Sequence, residues 1–274
     1  MITKKMKTIF ITGASTGLGK AAAKLFASEG WKVIATMRRP ENETELNRIP
    51  GVTLLPLDVT DPAQIAETVQ KAVASGGVDV VFNNAGYGLM GPLESITDAQ
   101  LVRQLDTNLL GVMRVTQAFI PHFRERKGGL FITTTSIGGL ITFPFSSVYH
   151  ATKWALEGWS ESMFFELKKI GVGIKTVSPG GIKTDFLSRS AEVGSHPAYD
   201  PWMQRMFSAI DENRFTSAED IAAVVYEAAT DGKDTLRYVA GEDAKALYAQ
   251  RLQHGPEAFM KQMEQTFMAS EVVQ

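Results

Sequence analysis

"TIFITGASTGLGKAAAKLFASEG", residues 8–30, passes from a short β-branched run through a glycine-rich turn into an alanine-rich stretch that stops at Gly30. Thr, Ile and Phe fit a pleated, buried surface, whereas alanine-rich sequence favours helix and a glycine just past its end closes it. The stretch predicts strand, loop and helix in that order. Gly13, Gly17 and Gly19 fall at the turn. Residues without a side chain let the backbone fold sharply and approach a diphosphate, whose charge meets the free amides of a helix N-terminus. A dinucleotide is the expected occupant, and a glycine-rich turn without a ligand is the competing reading. The spacing Gly-x-x-x-Gly-x-Gly differs from the more general Gly-x-Gly-x-x-Gly fingerprint.

The same alternation continues outward. WKVIATM (31–37), VTLLPLD (52–58), VDVVFNNAG (78–86), GLFITTTS (129–136), GIKTVSPGG (173–181) and TLRYVAG (235–241) read as six further strands. Helices are expected over 62–75, where Asp61 and Pro62 supply an N-cap and a first-turn proline, and over 98–126, 147–170 and 217–232. Seven strands alternating with helices imply right-handed crossovers and an α/β fold, a parallel sheet covered on both faces. A single domain is expected over 1–274. Residues 187–214 mix Gly, Pro, Tyr, Trp and Met without a clear period and are expected to form a mobile insertion over a site. The tail, 243–274, reads as helical and amphipathic, packing on its own domain or on a partner subunit.

Composition narrows the function. Among 274 residues, 44% are hydrophobic and 21% charged, close to soluble globular averages, so a full core is expected. The net charge is −2 and no polybasic face is evident, which argues against nucleic acid or an anionic membrane as partner and for a small ligand. With no cysteine, disulfides, thiolate catalysis and cysteine-ligated zinc are excluded, and no metal is expected. The segment "MITKKMKTIFIT" has too short an apolar run for a signal peptide, and no stretch approaches a membrane span of about 18 apolar residues. A cytoplasmic protein is the expectation.

"YHATK", residues 149–153, places a phenol and an ammonium one helical turn apart on one face. If the dinucleotide carries a nicotinamide, hydride transfer between it and an alcohol carbon would need a group that gives or takes the hydroxyl proton. No histidine or carboxylate pair fits that role evidently. A tyrosine, ordinarily titrating near 10, is expected to have that value lowered by the neighbouring Lys153 and by an oxidised nicotinamide. Ser136 ends a strand at the ligand edge, although on physics alone Thr135 serves equally. Asn108, inside a segment that reads as buried helix, is costly to bury unless its amide is satisfied.

"TGASTGLG" (12–19), "DVT" (58–60), "NNAG" (83–86), Asn108, Ser136, "YHATK" and "PGGIKT" (179–184) together resemble the short-chain dehydrogenase/reductase family over about residues 7–186. The resemblance implies a Rossmann-type sheet and an oxidoreductase that interconverts a ketone or aldehyde and its alcohol. It implies Asn108, Ser136, Tyr149 and Lys153 as catalytic residues. Ser136 would hold the substrate oxygen, Lys153 the nicotinamide ribose, and Asn108 a proton-relay water. It further implies cofactor contacts from Gly13, Ser15, Thr16, Gly17, Leu18 and Gly19, from Asp58 and Val59 at the adenine, and from Asn84, Ala85 and Gly86 at its ribose. Pro179, Gly180, Ile182 and Thr184 would border the nicotinamide. Met37 stands where the family's NAD-type acid would be, followed by Arg38, a guanidinium suited to a 2′-phosphate, so NADP is favoured over NAD. Both Arg38 and Arg39 as ordinary surface charges is the competing reading.

Gly138, Phe143, Phe186, Tyr199 and Trp202, with Ser136 and Tyr149, are expected to line an apolar substrate cleft. Thr142, Phe145 and Met203 join them in the same reading. The long helices over 98–126 and 147–170 are the family's usual dimer faces, so a homodimer or homotetramer is implied. A silent NADP-binding sensor or scaffold is the alternative, and it would not need the tyrosine, lysine, serine and asparagine together. A sugar-nucleotide epimerase or dehydratase on a related fold shares Tyr-x-x-x-Lys but usually carries a longer C-terminal substrate domain.

Overall fold

The computed structural model describes residues 6–184 and 191–268. Its first part runs β1 (Thr8–Ile11), α1 (Gly17–Ser28), β2 (Lys32–Met37), β3 (Val52–Pro56), α2 (Pro62–Ala74), β4 (Val80–Asn83) and a short β5 (Gly88–Met90). There follow α3 (Asp98–Leu105), α4 (Gly111–Arg126), β6 (Leu130–Thr134), α5 (Ser147–Lys168), β7 (Gly173–Pro179) and β8 (Ile182–Lys183). The remainder is β9 (Ala191–Val193), α6 (Asp200–Ser208), β10 (Thr216–Ser217), α7 (Ala218–Thr230), β11 (Arg237–Ala240), α8 (Glu242–His254) and α9 (Pro256–Phe267). Among the described residues no helix is long and apolar enough to cross a membrane.

Seven strands pair in the order β3-β2-β1-β4-β6-β7-β11, every pair parallel. From β1 the chain works outward to β3, then crosses back to begin β4 and works outward the other way. The carboxyl ends of β1 and β4 therefore flank the point where successive crossovers diverge, the crevice in which open α/β sheets take ligands. Alternation along β1 fills both faces. Ile9 and Ile11 pack with Phe26 of α1 and Ile221 and Val225 of α7, while Phe10 packs with Val69 of α2, Phe119 of α4 and Leu167 of α5. Asp61 caps α2 as its sequence requires, accepting from the amides of Ala63 and Gln64.

Three elements differ from the sequence reading. The helix expected over 98–126 is interrupted by a π turn, Asp106–Leu110, which places Asn108 on a widened backbone. Within 187–214, where no period is visible, the described part holds β9, paired with β5, and the nine-residue α6, whose Met203 and Met206 are buried. So short a helix gives only two turns of pattern for a periodic reading to detect. The tail is two helices broken at Gly255–Pro256, and its Phe259 and Met263 pack with Ile137, Leu140 and Ile141 of the loop after β6.

Candidate active site

The loop after β1 leaves a helix N-terminus open. Thr16, at the N-cap of α1, makes no capping bond through its side chain, and the first turn has no acidic residue. The unsatisfied amides and the positive end of the helix dipole suit an anion. The turn is held from behind. Thr12 Oγ1 accepts from the amides of Asn84 (2.9 Å) and Ala85 (3.0 Å), and Asn84 Nδ2 donates to the carbonyls of Thr12 and Gly13, each at 3.2 Å. Thr134 Oγ1 donates to Asn84 Oδ1 at 3.2 Å, so the ends of β1, β4 and β6 form one unit. A Cβ at position 19 would stand 2.3 Å from the Gly13 oxygen and 2.6 Å from Asn84 Nδ2, so only glycine fits there. Gly13 and Gly17 adopt positive φ, Leu18 is buried, and Ser15 and Thr16 are exposed on the open side.

The other candidate cofactor residues lie at neighbouring strand ends. Met37 closes β2 in the core and Arg38 follows it, exposed. The nearby acids Glu43 and Glu45 are engaged by Lys20 (3.3 and 2.9 Å) and, for Glu45, by Lys24 (2.6 Å). Asp58 accepts from Thr60 N (2.9 Å) and Thr60 Oγ1 (2.7 Å), a local turn that fixes the backbone of Asp58 and Val59 beyond β3. Past β7, Gly180 N donates to Ala240 O (3.0 Å) and Gly181 N to Asp243 Oδ2 (2.8 Å). Thr184 lies over the glycine loop, its methyl 3.4 Å from where a Gly17 Cβ would be. Pro179 and Ile182 sit on either side of that turn, in β7 and β8.

Ser136, Tyr149 and Lys153 converge beside this crevice. Lys153, 6% exposed, donates to Thr134 O at 3.0 Å, and its Nζ stands 5.7 Å from the centroid of the Tyr149 ring. Ser136 Oγ accepts from Gly138 N at 3.0 Å and lies close enough to the half-buried phenol to influence its titration. Burial raises the Tyr149 phenol, with Ser136 opposing it. Lys153 by itself therefore does not lower the phenol, because desolvation is the larger effect. Burial likewise brings Lys153 down from 10.5 to about 8, with the charge of Glu157 acting in the opposite direction. Asn108 is 1% exposed and both ends of its amide are bonded: Oδ1 accepts from Tyr87 N (3.0 Å) and Nδ2 donates to Tyr87 O (2.9 Å). A Cβ on Gly86 would lie 3.2 Å from that Oδ1, so the asparagine packs directly against the turn after β4.

On the substrate side, Gly138 and Phe143 follow Ser136, and Phe143 meets Phe267 of α9 edge-on at 6.2 Å. Tyr199 contacts both Phe145 (6.3 Å) and the exposed Trp202 (6.4 Å), whereas Met203 is buried in the core of α6 rather than open to a cleft. Phe145 holds a left-handed φ of 57° and its carbonyl accepts from Gly91 N at 2.7 Å. Phe186 lies outside the described residues. Sequence reasoning missed four neighbours. Thr12 and Thr134 carry no signal beyond ordinary strand threonines. Glu157, four residues past Lys153 on the same face of α5, carried a readable one; it is buried and accepts from Ser178 Oγ (3.0 Å) and Arg237 Nε (2.8 Å). His150, adjacent to Tyr149, is the fourth. Cavities lined by Lys7, Asp79 and Arg126, and by Lys175 and Asp234, open at the amino edge of the sheet, away from these groups.

Comparison with known proteins agrees with this geometry. The short chain dehydrogenase family model matches residues 7–193. An uncharacterized oxidoreductase of Schizosaccharomyces pombe is 37% identical over 209 residues, 75% of this chain and 89% of the relative. A short-chain dehydrogenase from Streptomyces avermitilis superposes with a TM-score of 0.85 at 29% identity, covering 98% of this chain and 100% of its own. ElxO, solved with NADP bound, superposes with a TM-score of 0.73 at 28% identity, covering 85% and 97%. With its parallel sheet, open glycine turn and matching family model, the chain belongs to the short-chain dehydrogenase/reductase family, as an oxidoreductase acting on CH–OH groups.

Proposed function

We propose that the protein reduces a hydrophobic ketone or aldehyde to its alcohol with NADPH, Tyr149 serving as general acid and, in the reverse direction, as general base. The observation that carries this reading is the Ser136–Tyr149–Lys153 cluster, in which burial keeps the phenol protonated. A protonated phenol is the form that donates to a carbonyl oxygen as it becomes an alkoxide. Ser136 offers the same oxygen a hydrogen bond, since its acceptor side already takes the Gly138 amide. Lys153, anchored on Thr134, places an ammonium beside the phenol and favours its charge while the proton is away. Asn108 and Lys153 together resupply that proton, a division of labour carried over from the family.

The dinucleotide, when bound, supplies the hydride. The residues present fit one: an uncapped helix N-terminus behind a turn that admits no side chain at position 19. Arg38, exposed where an acid would reject a 2′-phosphate, favours NADP, as does the likeness to ElxO with NADP. Phe143, Tyr199, Trp202 and the α9 face give the substrate side its apolar character. We further propose one domain over 1–274, with 187–214 covering the substrate, a cytoplasmic location, and a homodimer or homotetramer joined through the helical stretches 98–126 and 147–170, where Leu110 and Phe165 are exposed.

Tyr149→Phe tests the central role. In an assay of NADPH loss against a panel of aryl and aliphatic ketones and aldehydes, turnover should fall at least about 100-fold, within the range of general acid catalysis. NADPH binding, followed by its fluorescence, should persist. Undiminished turnover sinks the assignment, and binding without turnover by the wild type on any compound favours the sensor.

A further inference from the structure

His150 is 5% exposed and none of the steps above uses it. Its ring bridges two points of the loop that follows Ser136. Phe143 N, which can only donate, approaches Nε2 at 2.9 Å, so Nε2 carries the lone pair. The proton therefore resides on Nδ1 and is donated to Gly138 O at 2.7 Å. Only the neutral ring in this tautomer satisfies both partners. Burial holds the imidazole below its ordinary value, and the position in the first turn of α5, at the positive end of the helix dipole, acts in the same direction.

Gly138 is thus gripped through both of its backbone groups, which belong to successive peptides. Its carbonyl receives the His150 proton and its amide donates to Ser136 Oγ at 3.0 Å. A Cβ on Gly138 would lie 3.0 Å from His150 Nδ1 and 3.3 Å from Ser136 Oγ, so a side chain there would press on both ring and hydroxyl. With one lone pair of Ser136 taken by that amide, its hydroxyl proton is directed away from the loop. At the other end Phe143 is held in place against Phe267 of the C-terminal helix.

On the reading of Ser136 and Tyr149 as the polar pair that meets the substrate oxygen, we propose that His150 is a positioning residue. Its neutral imidazole clasps the Gly138–Phe143 loop to the catalytic helix, orienting the Ser136 hydroxyl through Gly138 and fixing Phe143 as a wall of the substrate cleft. Displacing a reacting group by about 1 Å costs on the order of 100-fold in rate, which sets the scale of the effect.

The test uses the full chain. In 15N-histidine NMR at pH 7, the signal lost in His150→Gln should show a neutral ring protonated at Nδ1; the Nε2–H tautomer or an imidazolium would overturn the clasp. With NADPH and the ketone panel, His150→Phe, which keeps ring volume without hydrogen bonds, should lose about 100-fold in kcat and raise KM for the ketone. Its NADPH affinity should not change. His150→Gln, which retains a donor and an acceptor, should recover most of the kcat. Wild-type kcat and KM in His150→Phe, or no recovery in a folded His150→Gln, would refute the inference. Active Tyr149→Phe, or a wild type inert on the whole panel, would instead count against the underlying reading, and the NMR result would then decide the clasp alone.

Discussion

Lys153→Met should make the protein more stable while disabling it. In the native state the ammonium is brought from 10.5 to about 8, chiefly by burial. At 1.36 kcal/mol per pH unit, that gap is a native-state penalty of about 3 kcal/mol at neutral pH, undiminished by solvent screening because the side chain is buried. Methionine has similar length and no charge to desolvate. It forfeits the bond to Thr134 O, whose loss costs about 1 kcal/mol. The net expectation is about 2 kcal/mol of stabilisation at pH 7, equivalent to about 4–8 °C in Tm. The pH dependence gives a second reading. Between about 8 and 10.5 the native lysine has lost its proton while the unfolded one keeps it, so the unfolded chain binds more protons and wild-type stability rises with pH. Urea unfolding at pH 7 and pH 9.5 should show the two proteins converging at the higher pH. A Lys153→Met protein less stable than wild type at pH 7, with no convergence, would refute the reasoning.

Two other substitutions probe the cofactor side. Gly19→Ala puts a methyl 2.3 Å from the Gly13 oxygen, so NADPH affinity should collapse and stability should fall by about 1–3 kcal/mol, read by fluorescence titration and urea unfolding; unchanged affinity would show that the turn does not cradle the dinucleotide. Arg38→Ala should weaken NADPH by about tenfold or more, the scale of one charge-assisted pair, and leave NADH as it was; an unaltered ratio of the two affinities would remove Arg38 as the 2′-phosphate ligand.

What the sequence revealed was whatever local chemistry decides. Asp61 and Pro62 start α2 because a side-chain acceptor and a fixed φ act within one turn, and the β1-to-α1 transition is written in consecutive residues. The parallel sheet followed from alternation alone. What escaped depends on partners far along the chain. The Thr12 hydroxyl serves amides 72 and 73 residues away, and Glu157 meets Arg237 at a separation of 80. At Asn108 the π turn coincides with an amide that takes both backbone groups of Tyr87, a pairing that no helical periodicity announces. The direction in which burial moves the Tyr149 phenol is hidden from the sequence for a related reason. An i, i+4 spacing reports that a charge is near, but the extent of burial decides which way the phenol moves, and burial is a property of the assembled loops.

Helix α5 joins these long-range partners to the chemistry. One of its faces presents Tyr149, Lys153 and Glu157 at intervals of one turn, and two of the three are almost wholly buried. A lone carboxylate at such depth would be costly. Glu157 instead has Arg237 Nε at 2.8 Å and Ser178 Oγ at 3.0 Å, from the two strands at that edge of the sheet. Its negative charge in turn supports the ammonium of Lys153 against burial. Charge is thus carried inward in steps, from a half-exposed arginine to a buried carboxylate, then to a buried ammonium beside the phenol. Each step satisfies a group that would otherwise be expelled to solvent. That order explains how Lys153, Glu157 and Ser178 stay buried towards the carboxyl ends of β6 and β7, where the sheet edge, the open glycine turn and the first turns of α5 come together to give them partners.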